Sequence, residues 1–200
     1  MNLMDQIEAG ILPASIDAVL CDRPETLAAS RCRARHLDVL EPTDPTTVDA
    51  WVISKLKELA PELICLCGYT RLLPIENWMI DRVINIHPSL LPEFGGKGMY
   101  GQAVHRAVIA AGHSQSGCTV HLVDEQYDHG PTILQRTCHV DPQDTAETLA
   151  DRVFAEECLA LPEAIRLIAS GRIRRQGQDI HAAPPDSTWP DAIVRPAPTS

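Results

Sequence analysis

The chain has 200 residues, 44% of them hydrophobic, and a formal net charge of -10. A chain of this length can bury one good hydrophobic core and leaves little room for a second, so we expect a single domain. The acidic balance argues against nucleic acid or an anionic membrane as the main partner, because both require a basic surface.

Two further function classes are disfavoured by the sequence. No apolar run approaches the roughly 18 residues that span a bilayer, and the start "MNLMDQIEAG" lacks a secretion signal, so we expect a cytoplasmic protein. The seven cysteines contain no CxxC pair and the eight histidines form no HExxH motif. We therefore expect no metal.

Short apolar runs alternate with segments of helical period up to about residue 90, which is typical of βαβ units with a largely parallel sheet. The predicted strands are "SIDAVLCD", "RHLDVLE", "ELICLCG" and "RVINIHP". The predicted helices between them are "PETLAASRCRA" and "TTVDAWVISKLKELA". In the second helix, Val48, Val52, Leu56 and Leu59 recur three or four residues apart and predict its buried face.

The second half of the chain continues with a helix in "GQAVHRAVIAAG" and two strands, "GCTVHLVD" and "TILQRTCHV", joined by the turn "YDHGP". A last long helix is predicted to begin with Asp144 as its N-cap and to bury Phe154. Beyond Arg175 the sequence is rich in proline. We predict a domain over residues 1–175 and a surface-draped or disordered tail over residues 176–200.

One strand end carries polar groups that can do chemistry. Side chains alternate along a strand, so Asn85 and His87 in "RVINIHPSLLP" lie on one side of it, and the "YDHGP" turn offers Asp128 as a third member. An amide can donate to a developing oxyanion, an imidazole can exchange a proton, and a carboxylate can orient the imidazole and raise its pKa. The alternative is a pair of satisfied polar groups at a strand end, with Asp128 as a turn former.

These residues favour acyl transfer or hydrolysis by direct attack of an amine or water, since the motif contains no Ser or Cys nucleophile. The segments "INIHPSLLP", "GKGMYGQAVHRAV", "SGCTVHLVDEQYDHGPTILQ" and "DTAETLADRVFAEE" resemble, in the same order, those of the glycinamide ribonucleotide (phosphoribosylglycinamide) formyltransferases. The resemblance extends from about residue 2 to residue 175. It implies a three-layer α/β/α, Rossmann-like formyltransferase fold with a mostly parallel sheet.

The resemblance also implies an activity in one-carbon metabolism and purine biosynthesis. A formyl group would pass from 10-formyltetrahydrofolate, the co-substrate, to the amino group of glycinamide ribonucleotide. Asn85, His87 and Asp128 match the family's catalytic residues, while Gly68 and Glu157 match nucleotide contacts. The residues that match folate contacts, largely through backbone groups, are Thr70, Arg71, Leu72, Leu73, Asn85, Val123 and Asp124.

The start of the chain departs from the family pattern. Members begin with an apolar strand and a Gly/Ser-rich loop that holds the nucleotide phosphate at a helix N-terminus. The sequence "MNLMDQIEAG" corresponds to that helix, so we expect the first strand to be missing. Its loss would expose strand edges and favour a homo-oligomer. Three explanations stay open: a misassigned start, a gap closed by another segment or chain, or lost nucleotide binding.

Two other functions are weighed against formyl transfer. A catalytically silent remnant would keep the folate pocket and lose the nucleotide. A formyltetrahydrofolate hydrolase would give the formyl group to water, although these enzymes tend to show a second histidine where this chain has Pro88. The methionyl-tRNA formyltransferases add a basic C-terminal domain, which neither the length nor the charge of this chain allows.

Overall fold

The structure is a computed structural model and describes residues 2–177 and 179–182. It divides the chain into two compact units, residues 1–61 and residues 62 onward. In the described residues, no helix is both long enough and apolar enough to cross a membrane. The predicted tail beyond residue 182 lies outside the described residues, so the predicted division at residue 175 stays a prediction.

The first unit contains three helices and a pair of parallel strands. Its elements are α1 (Asn2–Glu8), β1 (Val19–Leu20), α2 (Leu27–Ala34), β2 (Val39–Leu40) and α3 (Val48–Leu59). Strands β1 and β2 pair in parallel, and helix α2 connects them along the chain. This arrangement confirms the predicted βαβ unit.

Helix α3 shows how sequence sets its ends and its buried face. A 3₁₀ turn at Pro45–Thr47 precedes it, and Asp44 accepts a 2.8 Å hydrogen bond from the Thr46 N–H. At its other end Ala60 adopts a left-handed conformation and closes the last turn. Val48, Val52 and Leu56 are buried, as predicted, whereas Leu59, the fourth predicted position, is only half-buried.

The second unit carries the larger sheet. Its elements are β3 (Ile64–Leu66), a 3₁₀ turn (Asn77–Met79), β4 (Val83–His87), α4 (Gln102–Ala110), β5 (Gln115–Leu122), β6 (Thr132–His139), α5 (Ala146–Ala169), β7 (Ile173–Gln176) and β8 (Asp179–Ala182). Strand order is β3-β4-β5-β6, with β3 parallel to β4 and the next two pairs antiparallel. Helix α5 packs on β5 and β6 and against α4. The α/β class is confirmed.

Strand β5 forms the centre of this unit. Every residue from Ser116 to Leu122 is buried, as expected for a strand covered on both faces. The close pairing with β6 requires Gly117, because a Cβ there would lie 2.0 Å from the Arg136 carbonyl oxygen. The sheet therefore holds any polar side chain on β5 in a fixed, dry position.

Helix α5 differs from its prediction at two residues. Its N-cap is Thr145, one residue after the predicted Asp144, and Thr145 and Thr148 form a reciprocal capping box. The Asp144 carboxylate instead pairs with Arg152 at 2.5 Å. Phe154 is 62% exposed, because Leu149, Val153 and the positions in phase with them take the buried face.

The C-terminal part of the described chain is a hairpin of β7 and β8. The two strands pair antiparallel and cross residue 175, the predicted boundary. Arg175 pairs with Asp81 at 2.6 Å, and this ion pair ties the hairpin to the segment before β4 within the second unit.

Candidate active site

The predicted trio converges in the structure. Strand β4 carries Asn85 and His87, and the turn after β5 carries Asp128. Asn85 Nδ2 lies 3.3 Å from Asp128 Oδ1, and His87 Nδ1 lies 3.4 Å from the same oxygen. The alternation along β4 therefore placed both side chains on the same side, as predicted.

A fourth side chain, His121, joins this group and was not predicted. It lies on β5 directly opposite Asn85 in the antiparallel register. His121 Nδ1 donates to the Leu122 carbonyl at 2.8 Å, which leaves Nε2 to accept the Asn85 amide at 3.1 Å. A histidine within the apolar run "CTVHLV" was the available signal, but the register that pairs it with Asn85 is not readable from sequence. We call Asn85, His87, His121 and Asp128 the catalytic cluster, after the role that is proposed for them below.

The loop after β4 supplies two backbone contacts to the cluster. His87 Nε2 donates to the Phe94 carbonyl at 2.9 Å, and the Gly96 N–H donates to Asp128 Oδ2 at 2.9 Å. Phe94 and Gly96 both adopt positive φ values, of 56° and 97°, so the loop is sharply folded there. The cluster is thus anchored by main-chain groups as well as by its own side chains.

Burial controls the protonation of His87. The side chain is 4% exposed, and burial lowers its pKa below the ordinary value even though the Asp128 charge works in the opposite direction. The predicted rise in this pKa is therefore wrong. The sequence indicated the nearby carboxylate but gave no measure of how completely the imidazole would be removed from water.

The protonation of Asp128 is controlled by its contacts and not by burial, so its carboxylate remains ionised. Burial alone would raise its pKa, but contacts with His121 and His87 and the Gly96 N–H outweigh burial and hold that pKa below the ordinary value. Asp128 adopts a left-handed backbone conformation with a φ of 53°, which aims the carboxylate at the cluster.

The other predicted contacts lie in several places. Gly68 is exposed just after β3, with a φ of 77°. In the segment that follows, Arg71 and Leu72 are exposed while Leu73 is buried in the core. The Asp124 carboxylate contacts Gln126 and His129 within its own turn. Their roles as folate or nucleotide contacts stay predictions.

Glu157 is a further titratable group of this unit, and its side chain is half-buried. It lies on α5 in phase with Leu149, Val153 and Ala160, which form the buried face. Burial raises its pKa to about 7. A carboxyl in this state can accept or donate a hydrogen bond near neutral pH.

The sequence model of the formyl transferase family matches residues 2–165 of this chain. The chain belongs to the formyl transferase family. Phosphoribosylglycinamide formyltransferase from Vigna unguiculata, a chloroplastic protein, is 37% identical over 181 residues, or 86% of this chain and 57% of the plant protein. The trifunctional purine biosynthetic protein adenosine-3 of Drosophila pseudoobscura pseudoobscura is 42% identical over 141 residues, or 69% of this chain and 10% of that protein.

Two solved structures are similar to this chain in fold. Glycinamide ribonucleotide transformylase 1 from Symbiobacterium toebii has a TM-score of 0.82 and 34% identity, over 92% of this chain and 87% of that one. A formyltetrahydrofolate deformylase from Pseudomonas syringae pv. tomato has a TM-score of 0.81 at 22% identity, over 92% of this chain and 61% of that one. The second likeness shows the fold alone. The chain spans about half the length of the plant relatives it matches.

Proposed function

We propose that this chain transfers the formyl group of 10-formyltetrahydrofolate to the amino group of glycinamide ribonucleotide. The observation that carries this proposal is the convergence of Asn85 and His87 on Asp128, within 3.4 Å. The names of similar proteins support it, since a phosphoribosylglycinamide formyltransferase and a glycinamide ribonucleotide transformylase are among them.

The reaction needs one oxyanion site and one proton acceptor. The substrate amine attacks the formyl carbon, a C–N bond forms, and the carbonyl π electrons move onto oxygen. The bond from that carbon to the folate nitrogen then breaks as the carbonyl reforms. The folate nitrogen gains a proton and the amine nitrogen loses one. Groups that bind the tetrahedral species more tightly than the flat formyl group lower this barrier.

Asn85 is the group we assign to the oxyanion. Its amide N–H groups contact His121 Nε2 at 3.1 Å and Asp128 Oδ1 at 3.3 Å. One of them must leave its partner to meet the formyl oxygen. The contact to Asp128 is the longer of the two, so we expect it to break while His121 keeps the amide in place.

His87 and Asp128 together are the group we assign to the proton. With its pKa lowered by burial, His87 is largely uncharged near neutral pH and can accept a proton at Nδ1, which faces the Asp128 carboxylate. The carboxylate stabilises the imidazolium that results. Because Nε2 already donates to the Phe94 carbonyl, the protonated ring would be bound at both nitrogens.

The remaining ligand contacts belong to the same proposal. We assign the formyl-folate to Asn85, to the segment from Thr70 to Leu73 and to the backbone of Val123 and Asp124, and the nucleotide to Gly68 and Glu157. Glu157 supports this assignment, since a half-buried carboxyl whose pKa is raised to about 7 suits a hydroxyl partner such as a ribose. A homo-oligomer and a cytoplasmic location also stay predictions; two plant relatives are chloroplastic.

The test is an assay of the purified chain with 10-formyltetrahydrofolate, with and without glycinamide ribonucleotide. Formylated nucleotide that appears in step with deformylated folate supports the proposal. Formate released equally well without nucleotide identifies a hydrolase. Folate binding with neither product identifies the silent remnant, and either of these two outcomes overturns the proposal.

A further inference from the structure

The turn between β5 and β6 carries Asp128 and is itself held by two side chains. Asp124 Oδ1 accepts the Gln126 N–H at 2.9 Å, and Asp124 Oδ2 accepts His129 Nδ1 at 2.7 Å. Asp124 therefore binds the start of the turn with one oxygen and its far end with the other. Asp128 lies inside the loop that these two contacts close.

The far end of the turn is fixed by a close backbone approach. A Cβ on Gly130 would lie 1.9 Å from the Leu122 carbonyl oxygen, so only glycine fits there. The same carbonyl oxygen accepts His121 Nδ1, and the Pro131 carbonyl accepts the Leu122 N–H at 2.9 Å. The two residues that follow Asp128 are thus both constrained: His129 by its hydrogen bond to Asp124, and Gly130 by the close approach of the Leu122 carbonyl.

Asp128 needs this constraint because its backbone is strained. A left-handed conformation in a residue other than glycine persists where surrounding contacts enforce it. If the turn relaxed, the carboxylate would move away from Asn85 and His87. A displacement of about 1 Å in a catalytic group can cost on the order of 100-fold in rate.

We propose that Asp124 and His129 are positioning residues that hold Asp128 in the catalytic cluster, and that the Asp124 side chain does not bind folate. The inference rests on the proposed function for its kinetic test. It is compatible with the backbone contact to folate that the family resemblance predicts for Asp124, because it concerns only the carboxylate, whose two oxygens both bond within the turn.

The kinetic test compares His129→Ala with His129→Asn, whose side-chain amide nitrogen can occupy the place of Nδ1. His129→Ala should lower kcat about ten-fold with little change in the KM for formyl-folate, since the carboxylate is misplaced and not removed. His129→Asn should restore most of the loss. Glu125→Ala, at an exposed site in the same turn, is the matched control and should behave as the parent chain.

A double variant shows whether His129 acts through Asp128. In a chain that already carries Asp128→Asn, His129→Ala should have almost no further effect on kcat. Additive losses would overturn the inference. A raised KM for formyl-folate with kcat unchanged would also overturn it, because Asp124 would then act on the folate.

A measurement without turnover separates this inference from the proposed function. Carboxyl ¹³C shifts followed through a pH titration report the protonation of Asp128 directly. In His129→Ala the pKa of Asp128 should rise toward its ordinary value as the cluster contacts weaken, and in His129→Asn it should not. An unmoved titration would overturn the inference even in an active chain. Lack of formyl transfer by the parent chain would overturn only the proposed function.

Discussion

Asn85 on β4 and His121 on β5 lie opposite each other in an antiparallel pair, and a 3.1 Å hydrogen bond joins the Asn85 amide to His121 Nε2. The donor of the proposed oxyanion site is therefore oriented by a neighbouring strand. His121 in turn is fixed by its own bond to the Leu122 carbonyl. The amide is held in place before any ligand binds, which is the condition for strong oxyanion stabilisation.

Loss of His121 should therefore act through Asn85. We expect His121→Ala to lower kcat roughly ten-fold and to cost about 1–3 kcal/mol of stability, because it empties a buried position and leaves the half-buried Asn85 amide with only its longer contact to Asp128. Steady-state kinetics and urea unfolding measure the two effects. Combined with Asn85→Ala, the kinetic loss should be far smaller than the product of the single losses. A loss in the double variant equal to the product of the two single losses would show that His121 acts independently of the Asn85 amide.

Loss of Asn85 itself should be more severe. Asn85→Ala removes the proposed oxyanion donor and should lower kcat by roughly 10² to 10³ with the folate Kd little changed. Calorimetry on the folate and kinetics of formyl transfer separate binding from rate. Asn77→Ala, at an exposed site in the same unit, is the control. If the Asn85 variant retained its kcat, the strand-end polar groups would be merely structural.

His87 and Asp128 should behave as one catalytic unit. Each single change to alanine should be as damaging as Asn85→Ala, and the double variant should lose much less than the product of the two. The reason is that proton transfer to His87 Nδ1 depends on the facing carboxylate, 3.4 Å away. If kcat of the double variant fell by the full product of the two single losses, His87 and Asp128 would act independently, which would contradict the shared role.

The buried imidazole of His87 should make the fold sensitive to mild acid. Its folded-state pKa is lowered, so below about pH 6.5 the unfolded chain binds more protons than the native chain and stability falls as the pH falls. Asp128 adds a loss of the same sign below about pH 4. Urea unfolding from pH 7.5 to 5 should show a shallower decline for His87→Gln than for the parent. His139→Gln, at an exposed site, should leave the decline unchanged.

Glu157 should show the opposite dependence on pH. Its pKa is raised to about 7, so between about pH 4.5 and 7 the native chain binds more protons than the unfolded chain and stability falls as the pH rises. Glu157→Gln should stabilise the chain at pH 8, by an amount on the order of 1 kcal/mol because solvent screens the half-buried side chain, with the gain vanishing below about pH 4.5. Asp151→Asn, exposed on the same helix, should show no such gain. Equal effects of Glu157→Gln at pH 8 and pH 4 would exclude the ionisation argument.

The sequence predicted those parts of the site that depend on local periodicity. Alternation along β4 predicted that Asn85 and His87 share a face, and the turn residues predicted where Asp128 would stand. The partner of Asn85 depends on strand register, which sequence alone leaves open, and so His121 was missed. The backbone groups of Phe94 and Gly96 have no sequence signature at all, since every residue except proline carries both a donor and an acceptor.

The protonation of the site could not be predicted from neighbouring residue types. The sequence places a carboxylate near His87 and thus suggested a raised pKa, whereas the fold buries the ring and reverses the outcome. Glu157 repeats the lesson, since a glutamate on an amphipathic helix is ordinarily solvated but here lies in phase with Leu149 and Val153. Burial is a property of the packed unit and emerges only with tertiary structure.

Asn85 and Asp128 stand only 43 positions apart, and His87 and His121 lie between them. One short stretch of the chain therefore supplies every side chain of the catalytic cluster. A matching segment forms about a tenth of the trifunctional purine biosynthetic protein of Drosophila pseudoobscura pseudoobscura. The four side chains therefore stay together in any longer polypeptide that contains this stretch of sequence.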